Sequence, residues 1–274
     1  MQSFHMPPTG FGPGTQGEEA DKELQYMVMP SGMRTYVPHY PEADDPLRVL
    51  PARAMLAEVA RAATSVAEMG GQVSFDLTGL DRENRAFIAE TLGEGEVSAR
   101  VTGPEARVIQ ESVFAGVWTV RGDALDRLVV AHIPGSVRSL AHRGERPAAG
   151  SALPQGRGVV NAPALLHELL DKSAASARTH VVNLTLLPHT EEDLGWLDAA
   201  LGLGSVTLLS RGYGNCRVTA TATPRVWRVQ FYNSMDSLIL DTFEVTPVPE
   251  VVLAADEDLE DSGERIREVL EAVK

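Results

Sequence analysis

The chain has 274 residues, of which 43% are hydrophobic, 23% charged and 5% aromatic, which suits one large domain or two smaller ones and excludes a wholly disordered chain. No apolar run approaches the roughly 20 residues that cross a bilayer, and the N-terminus lacks a basic region followed by an apolar stretch. A single cysteine, Cys216, excludes a disulfide framework and a cysteine-only metal cage. We therefore expect a soluble, cytoplasmic protein without membrane insertion.

The net charge of −14 is concentrated at the two ends of the chain. Residues 1–45 contain seven acidic and two basic side chains, and residues 250–274 contain nine acidic and three basic ones, whereas the middle is nearly neutral. A nucleic-acid-binding protein neutralises phosphates with a basic surface, and no segment of this sequence is strongly basic. We therefore expect no nucleic-acid partner.

The first 45 residues are predicted to form a flexible arm that carries a methionine-rich segment. Glycine and proline are frequent up to residue 24, and large apolar residues are few. Met27, Met29 and Met33 then fall within seven residues, around a turn signal at Pro30. Methionine side chains are flexible and polarisable, so the segment predicts either an adaptable contact surface or a cover for the domain core.

A first α+β unit is predicted over residues 46–134. Apolar residues recur at helical spacing over Pro51–Ala67, and a glycine pair at 70–71 ends that helix. Val73–Leu77 alternates like a strand, and Asp81 is placed to cap a short helix. Four β-like segments complete the unit, at Val97–Val101, Val108–Val113, Val117–Val120 and Leu125–Ile133.

The same order of elements is predicted again after a linker at residues 135–160, which is rich in glycine, proline and arginine. The second unit, residues 161–249, opens with a leucine-rich helix and continues with a strand at His180–Leu187. Thr190 then begins another helix, with Asp193 three residues later as in a capping box. The remaining predicted elements are strands at Val206–Leu209, Cys216–Ala222, Val226–Tyr232 and Leu238–Val245, and an acidic helix or tail at residues 250–274.

Overlaying the chain on itself at an offset of 109 positions supports the two-unit prediction. Residues 87–121 and 196–230 then share eight identities in 35 positions without an insertion. The identities cluster in a Leu-Gly-x-Gly-x-Val motif and in a Val-Trp-x-Val strand that places Trp118 on Trp227. The sequence therefore predicts an α+β fold that is a tandem duplication of one unit, with helices packed on a mainly antiparallel sheet.

No sequence motif for catalysis or cofactor binding is present. The Leu-Gly-x-Gly-x-Val motif follows a helix and precedes a strand, which is the reverse of the order that binds a phosphate. The seven histidines lack metal-ligand spacing, and Gly-x-Ser-x-Gly is missing. We therefore predict neither a catalytic residue nor a bound metal or cofactor.

Cys216 lies on a predicted strand, where a buried structural thiol is the ordinary interpretation. The alternative is a metal or iron–sulfur handling protein that uses Cys216 together with histidines and carboxylates. A third class, a hydrolytic enzyme, requires a pocket in which a histidine, an acid and a nucleophile converge.

The segment Ser210–Arg217 is a candidate for partner binding. Two glycines flank Tyr213 and predict a tight turn, with Arg211 and Arg217 on either side. The simpler interpretation is a hairpin turn with solvated arginines.

Several stretches of the chain resemble the HupH/HyaF-type hydrogenase expression/formation proteins. They are Met27–Tyr36, Gln110–Trp118, and Ser210–Arg217 followed by Val226–Asp236. The resemblance implies a non-enzymatic maturation or assembly factor for a membrane-bound uptake [NiFe]-hydrogenase. It also implies binding of the iron–sulfur small-subunit precursor in the cytoplasm, before export by the twin-arginine route. The family has no established catalytic residues to carry over.

The candidate partner-binding residues are Met27, Met29, Pro30, Met33, Arg34, Arg211, Tyr213 and Arg217. The expected partners are the hydrogenase small-subunit precursor and other maturation factors. Because such a precursor begins with a basic signal, the acidic ends are expected to speed association over about 8–10 Å at physiological salt. Deletion of residues 250–274 is then expected to slow association without abolishing the complex.

Overall fold

A computed structural model describes residues 47–145, 153–154, 156–175, 178–212 and 214–272. The helices are α1 (Leu50–Met69), α2 (Arg82–Leu92), α3 (Gly135–Leu140), α4 (Ala162–Ala175), α5 (Glu191–Leu201) and α6 (Asp256–Ala272). The strands are β1 (Val73–Asp76), β2 (Val97–Val101), β3 (Arg107–Glu111), β4 (Val117–Gly122), β5 (Leu125–Val130), β6 (His180–Asn183), β7 (Leu203–Ser210), β8 (Asn215–Thr221), β9 (Val226–Tyr232) and β10 (Leu238–Val245). Within these ranges, no helix combines the length and the apolar character needed to cross a membrane.

The ten strands form one antiparallel sheet in the order β1-β5-β4-β3-β2-β7-β8-β9-β10-β6. The first five strands of the chain make one half of the sheet, and the last five make the other half. The halves meet where β2 pairs with β7. The predicted α+β class, with helices on an antiparallel sheet, is confirmed, and the two predicted units share one continuous sheet.

An approximate twofold axis passes between β2 and β7. Ala99 lies opposite Leu208 in this strand pair, and the two positions differ by 109, the offset of the sequence overlay. Trp118 and Trp227 are each the second residue of the third strand from the axis, and both are fully buried. Each indole N–H donates to the backbone carbonyl that directly follows the neighbouring strand, at 2.9 Å and 3.1 Å respectively. The two tryptophans thus occupy corresponding positions in the two halves.

Helices α2 and α5 begin at the residues predicted from the sequence. Asp81 accepts a hydrogen bond from the backbone N–H of Asn84, and Thr190 forms a capping box with Asp193. Asn84 and Asp193 are each the third residue of their helix. Each side chain also accepts a hydrogen bond, at 2.9 Å, from a backbone N–H in the first turn of α1 or α4. These polar contacts fix the angle between consecutive helices in both halves.

The two faces of the sheet are covered in different ways. On one side, which we call the closed face, a single apolar cluster spans both halves and packs against α3 and the segment around Val252. The other side, which we call the helix face, carries two separate clusters. Helices α1, α2 and α6 pack on β4 and β5, and helices α4 and α5 pack on β6, β9 and β10.

The acidic C-terminal segment is a helix that belongs to the core. Helix α6 begins at Asp256, inside the segment predicted as an acidic helix or tail, and buries apolar side chains, such as Leu259 and Ile266, in the cluster that contains α1. Gly263 permits the close approach, since a β-carbon there would lie 2.8 Å from the Ala60 carbonyl oxygen. Deleting residues 250–274 would remove part of this core, so the expectation of a purely kinetic effect does not hold.

Two further element boundaries differ from the prediction. Strand β6 ends four residues early, because the Thr185 hydroxyl accepts the backbone N–H of Asp241 at 2.9 Å and Leu184 turns into the core. The segment predicted as a linker contains α3, whose Val137 and Leu140 are buried in the closed-face cluster. Composition alone predicts a linker here because glycine, proline and arginine outnumber these few core residues.

Candidate functional site

The end of the β7–β8 hairpin carries the arginines of the candidate site. Leu209 pairs with Arg217, and the turn contains Gly214, whose φ of +101° lies in the left-handed region that favours glycine. Arg211 and Arg217 are both exposed. A cleft of about 500 Å³ is lined by Leu209, Ser210, Arg211, Asn215, Cys216, Arg217, Tyr232 and Asp236. The structure therefore brings these two predicted residues together on one cleft.

The side chain of Arg217 is held by the neighbouring hairpin. Its guanidinium carbon lies 5.7 Å from the centre of the Tyr232 ring, in cation–π geometry. The Asn215 amide donates to an Asp236 carboxylate oxygen at 3.4 Å, which links the same two hairpins. Arg217 is thus positioned on β8, and no hydrogen bond or ion pair with another described side chain engages its N–H groups, which suit a carboxylate or carbonyl of a partner.

The hairpin end also contacts the first half of the chain. The backbone N–H of Arg211 donates to the carbonyl oxygen of Glu96 at 3.2 Å, and Gly212 lies directly against the Glu96 side chain. Glu96 immediately precedes β2. The candidate cleft therefore lies where the two halves of the sheet meet.

The other predicted partner-binding residues lie outside the described ranges. They are Met27, Met29, Pro30, Met33, Arg34 and Tyr213. Their contribution to a binding surface stays a prediction from the sequence.

Cys216 is buried on the closed face, opposite Phe231 of β9. Burial, with a smaller contribution from the negative charge of Glu244, raises the pKa of the Cys216 thiol to about 11. The thiol is therefore protonated at neutral pH, whereas the thiolate is the form that binds metals and acts as a nucleophile. Within the described ranges, no group of three or more histidine, cysteine, aspartate or glutamate side chains could hold a metal ion.

Three of the histidines that the structure describes, His132, His142 and His180, make separate structural contacts. His142 holds the turn between β8 and β9, since its Nδ1 lies 2.8 Å from the Thr221 carbonyl oxygen and its Nε2 accepts the Arg225 backbone N–H at 3.0 Å. Burial lowers the pKa of His142 and favours the neutral ring. His132 and His180 each lie within hydrogen-bond distance of one carboxylate, at 2.7 Å and 2.6 Å. None of these three histidines lines the cleft at the hairpin end.

A buried carboxyl at Glu111 is the feature that the sequence analysis missed. Glu111 accepts the Gly116 backbone N–H at 3.1 Å. Burial raises its pKa to about 7, backbone hydrogen bonds partly oppose this, and the charges of Glu96 and Asp258 raise it further. Alternation along β3 places Glu111 on the same face as the core residue Ile109, and this period-2 signal could have identified it.

Comparison with known proteins connects this architecture to one family. The family model described as "HupH hydrogenase expression protein, C-terminal conserved region" matches residues 49–142 and residues 159–273. The chain belongs to the HupH/HyaF family of hydrogenase expression/formation proteins. The two matched segments coincide with the two halves of the sheet.

The relatives of this chain are named as hydrogenase expression/formation or hydrogenase operon proteins. The chain is 59% identical over 276 residues to the hydrogenase expression/formation protein HupH of Rhodobacter capsulatus, and the match covers 100% of both chains. It is 44% identical to HoxQ of Cupriavidus necator, over 100% of this chain and 99% of that one. It is 36% identical to the hydrogenase-1 operon protein HyaF of Escherichia coli, over 73% of each chain.

A solved family member is also similar to part of this chain. The hydrogenase expression protein HupH from Thiobacillus denitrificans is 30% identical, with a TM-score of 0.36, and the match covers 41% of this chain and 94% of that chain.

Proposed function

We propose that this HupH-family protein is a non-enzymatic assembly factor for a membrane-bound uptake [NiFe]-hydrogenase, and that it binds the iron–sulfur small-subunit precursor in the cytoplasm before export. The observation that carries the proposal is the 59% identity, over the full length of both chains, to a protein named for hydrogenase expression and formation. The binding role is supported by two exposed arginines at the cleft, Arg211 and Arg217, of which Arg217 is held against the Tyr232 ring.

The cleft at the end of the β7–β8 hairpin is one proposed contact with the precursor. Stacking on Tyr232 restricts the Arg217 side chain before binding, so less side-chain entropy is lost in the complex. Arg211 and Arg217 each supply a planar fork of donors that suits carboxylates and backbone carbonyls of an extended segment. Tyr213, between them in sequence, supplies aromatic contact area.

The Met27–Arg34 segment is the second proposed contact. Its three methionines provide adaptable apolar area for an apolar stretch of the client. The exposed carboxylates of α6 complement a basic start of the client, and their effect falls mainly on the association rate. We therefore expect apolar contact to set affinity and charge to set the salt dependence of association.

Co-purification tests the proposal. Tagged wild-type protein, expressed with the hydrogenase genes, is expected to recover the small-subunit precursor. The variant with Met27, Met29 and Met33 all replaced by Ser should recover less at every salt concentration, and R211Q/R217Q should also recover less. R138Q is the matched control, because Arg138 is an exposed arginine of α3, the helix that packs on the closed face. Failure to recover the precursor with wild-type protein at low salt would overturn the proposal.

Metal analysis addresses the alternative of a metal or iron–sulfur handling protein. The protein is purified aerobically and anaerobically, and its metal content is compared with that of Cys216→Ser. A stoichiometric metal that the variant lacks would replace the assembly-factor proposal. Because Cys216 is buried and its thiol is protonated at neutral pH, we expect equal metal content in both proteins.

We also infer that the two halves arose by tandem duplication of one α+β unit. The inference is supported by the shared offset of 109 in the overlay and in the β2–β7 register. It is further supported by the corresponding hydrogen bonds of Trp118 and Trp227 and by the two segments that match the family model.

A further inference from the structure

On the helix face, the helices of the described residues pack on the two ends of the sheet and leave its four central strands uncovered. In the described ranges, neither helix-face cluster contains a side chain from β2, β3, β7 or β8. Strand alternation places the following eight side chains of these strands, among others, on this face, and we call these eight the central strip: Ser98, Arg100, Val108, Gln110, Thr207, Leu209, Arg217 and Thr219. The central strip is thus flanked by the helices of the two halves.

The central strip is basic, although the protein has a net charge of −14. It contains Arg100 and Arg217 and no carboxylate. Neither arginine forms an ion pair with a carboxylate of the described residues. The arginines on the strands that border the strip are paired: Arg121 forms an ion pair with one aspartate, and Arg228 forms ion pairs with two aspartates. The two inner arginines therefore keep their charge available for a partner.

Each half of the sheet contributes one arginine and one apolar residue to the central strip, but the two residue types occupy exchanged positions. Arg100 lies opposite Val108 across β2 and β3, and Leu209 lies opposite Arg217 across β7 and β8. At the offset of 109, Arg100 corresponds to Leu209 and Val108 corresponds to Arg217. Val108 is 54% exposed and Leu209 is 38% exposed. Each half thus presents one cation beside one exposed apolar side chain, a combination typical of a protein-binding surface rather than of a solvated sheet.

The spacing of these groups matches one α-helix. Arg100 and Arg217 are two strands and two residues apart, so standard strand geometry separates their Cα atoms by about 12 Å. Carboxylates seven residues apart lie on one face of a helix and are separated by about 10–11 Å along its axis. The strip is about 14 Å wide between its outer strands, and a helix with its side chains is about 10–12 Å across.

We propose that the central strip binds an acidic amphipathic helix of a partner protein. Two carboxylates seven residues apart pair with Arg100 and Arg217. An apolar side chain between them contacts Leu209, and an apolar side chain beyond the carboxylate at Arg100 contacts Val108. Charge complementarity selects this occupant, because the arginines repel a basic segment and the acidic remainder of the protein repels a nucleic-acid strand that extends beyond the strip. The inference does not depend on which hydrogenase component is the client.

Binding of a defined peptide to the full chain tests this proposal. The probe is a fluorescent helical peptide with two glutamates seven residues apart, one leucine between them and one leucine just outside them, and the matched peptide has lysine at both glutamate positions. In anisotropy titrations at low salt, we expect the glutamate peptide alone to bind.

R100Q/R217Q should weaken its binding roughly five- to tenfold and reduce its salt dependence, whereas R138Q should have no effect. V108S/L209S should weaken binding and leave the salt dependence unchanged.

Three results would overturn the proposal: no saturable binding of the glutamate peptide to wild-type protein, equal loss in R138Q, or tighter binding of a single-stranded oligonucleotide at the same arginines. Thermal unfolding of each variant shows that the fold is retained, since all substituted positions are exposed. Because the probe contains no hydrogenase component, this result and the recovery of the small-subunit precursor can fail separately.

Discussion

The Glu111 carboxyl makes the stability of the protein depend on pH. Its folded-state pKa of about 7 lies above the ordinary value of 4.5, chiefly because of burial. Because the pKa of Glu111 is higher in the folded than in the unfolded protein, the protonated carboxyl favours the folded state. This contribution to the free energy of unfolding is complete below pH 4.5 and is lost as the pH rises through 7. The charged form then costs on the order of 3 kcal/mol.

Glu111→Gln keeps an acceptor for the Gly116 N–H and removes the charge. We expect it to raise the free energy of unfolding by about 2–3 kcal/mol at pH 8, with most of the gain gone at pH 5. Urea denaturation at both pH values measures the difference. Glu94→Gln, at an exposed position, is the control that should show no pH-dependent change. An equal gain from Glu111→Gln at both pH values would contradict the prediction.

Asp193 is a second single residue whose contacts allow a quantitative prediction. One carboxylate oxygen accepts the backbone N–H groups of residues 160, 161 and 162 at 2.7–3.0 Å. Burial opposes ionisation, but these hydrogen bonds and one from Thr190 lower the pKa of Asp193 to about 2. Its stabilising contribution is therefore present above about pH 4 and is lost as pH falls through 2.

In the first half, the neutral amide of Asn84 accepts the corresponding backbone N–H at the start of α1. A comparison of Ala and Asn at position 193 therefore separates the effect of the acceptor from that of the charge. Asp193→Ala leaves three backbone N–H groups, including the buried one of Ala162, without their acceptor and should cost about 2–3 kcal/mol of unfolding free energy. Asp193→Asn keeps an acceptor oxygen and should cost clearly less. Equal losses in chemical denaturation would mean that the charge, not the acceptor, stabilises this helix junction.

At the scale of elements, we predict that the apolar side chains of α6 stabilise the fold, whereas its exposed acidic side chains do not. Truncation before Asp256 removes Leu259, Ile266 and Val269 from the core, each worth roughly 1.5–3 kcal/mol when buried. We expect the truncated protein to lose cooperative thermal unfolding. Replacing the exposed Glu257, Glu260, Glu264 and Glu268 by Gln should leave the melting temperature nearly unchanged and slow association with the precursor at low salt. A truncated protein that melts like the wild type would refute this assignment.

Local chemistry explains which elements could be predicted from the sequence. The caps at Asp81 and Thr190 and the Val-Trp-x-Val strands depend on residues a few positions apart, and all of them form as predicted. The pairing of β2 with β7 joins residues that are 105 to 113 positions apart, and no local signal encodes it. The central strip could not be predicted either, because alternation identifies the residues of one face but not where the helices leave that face open.

At the scale of the whole molecule, the two halves should depend on each other for folding. The closed-face cluster crosses the axis, and α6, from the end of the chain, packs with α1 of the first half. Fragments 1–145 and 153–274 should therefore each lack cooperative unfolding when expressed alone, and mixing them should restore it. Circular dichroism of the separate and mixed fragments measures this. A fragment that unfolds cooperatively alone would contradict the prediction.

The approximate twofold axis also has a consequence for stoichiometry. In a homodimer with an exact twofold axis, every binding surface is present twice, so the dimer binds two copies of a small partner. In this chain the corresponding positions differ, with Arg100 against Leu209 and Glu111 against Ala220. A partner that lies across the axis meets a surface without a duplicate elsewhere on the molecule. Each chain therefore offers such a partner a single place, and the complex it forms there has one copy of each protein.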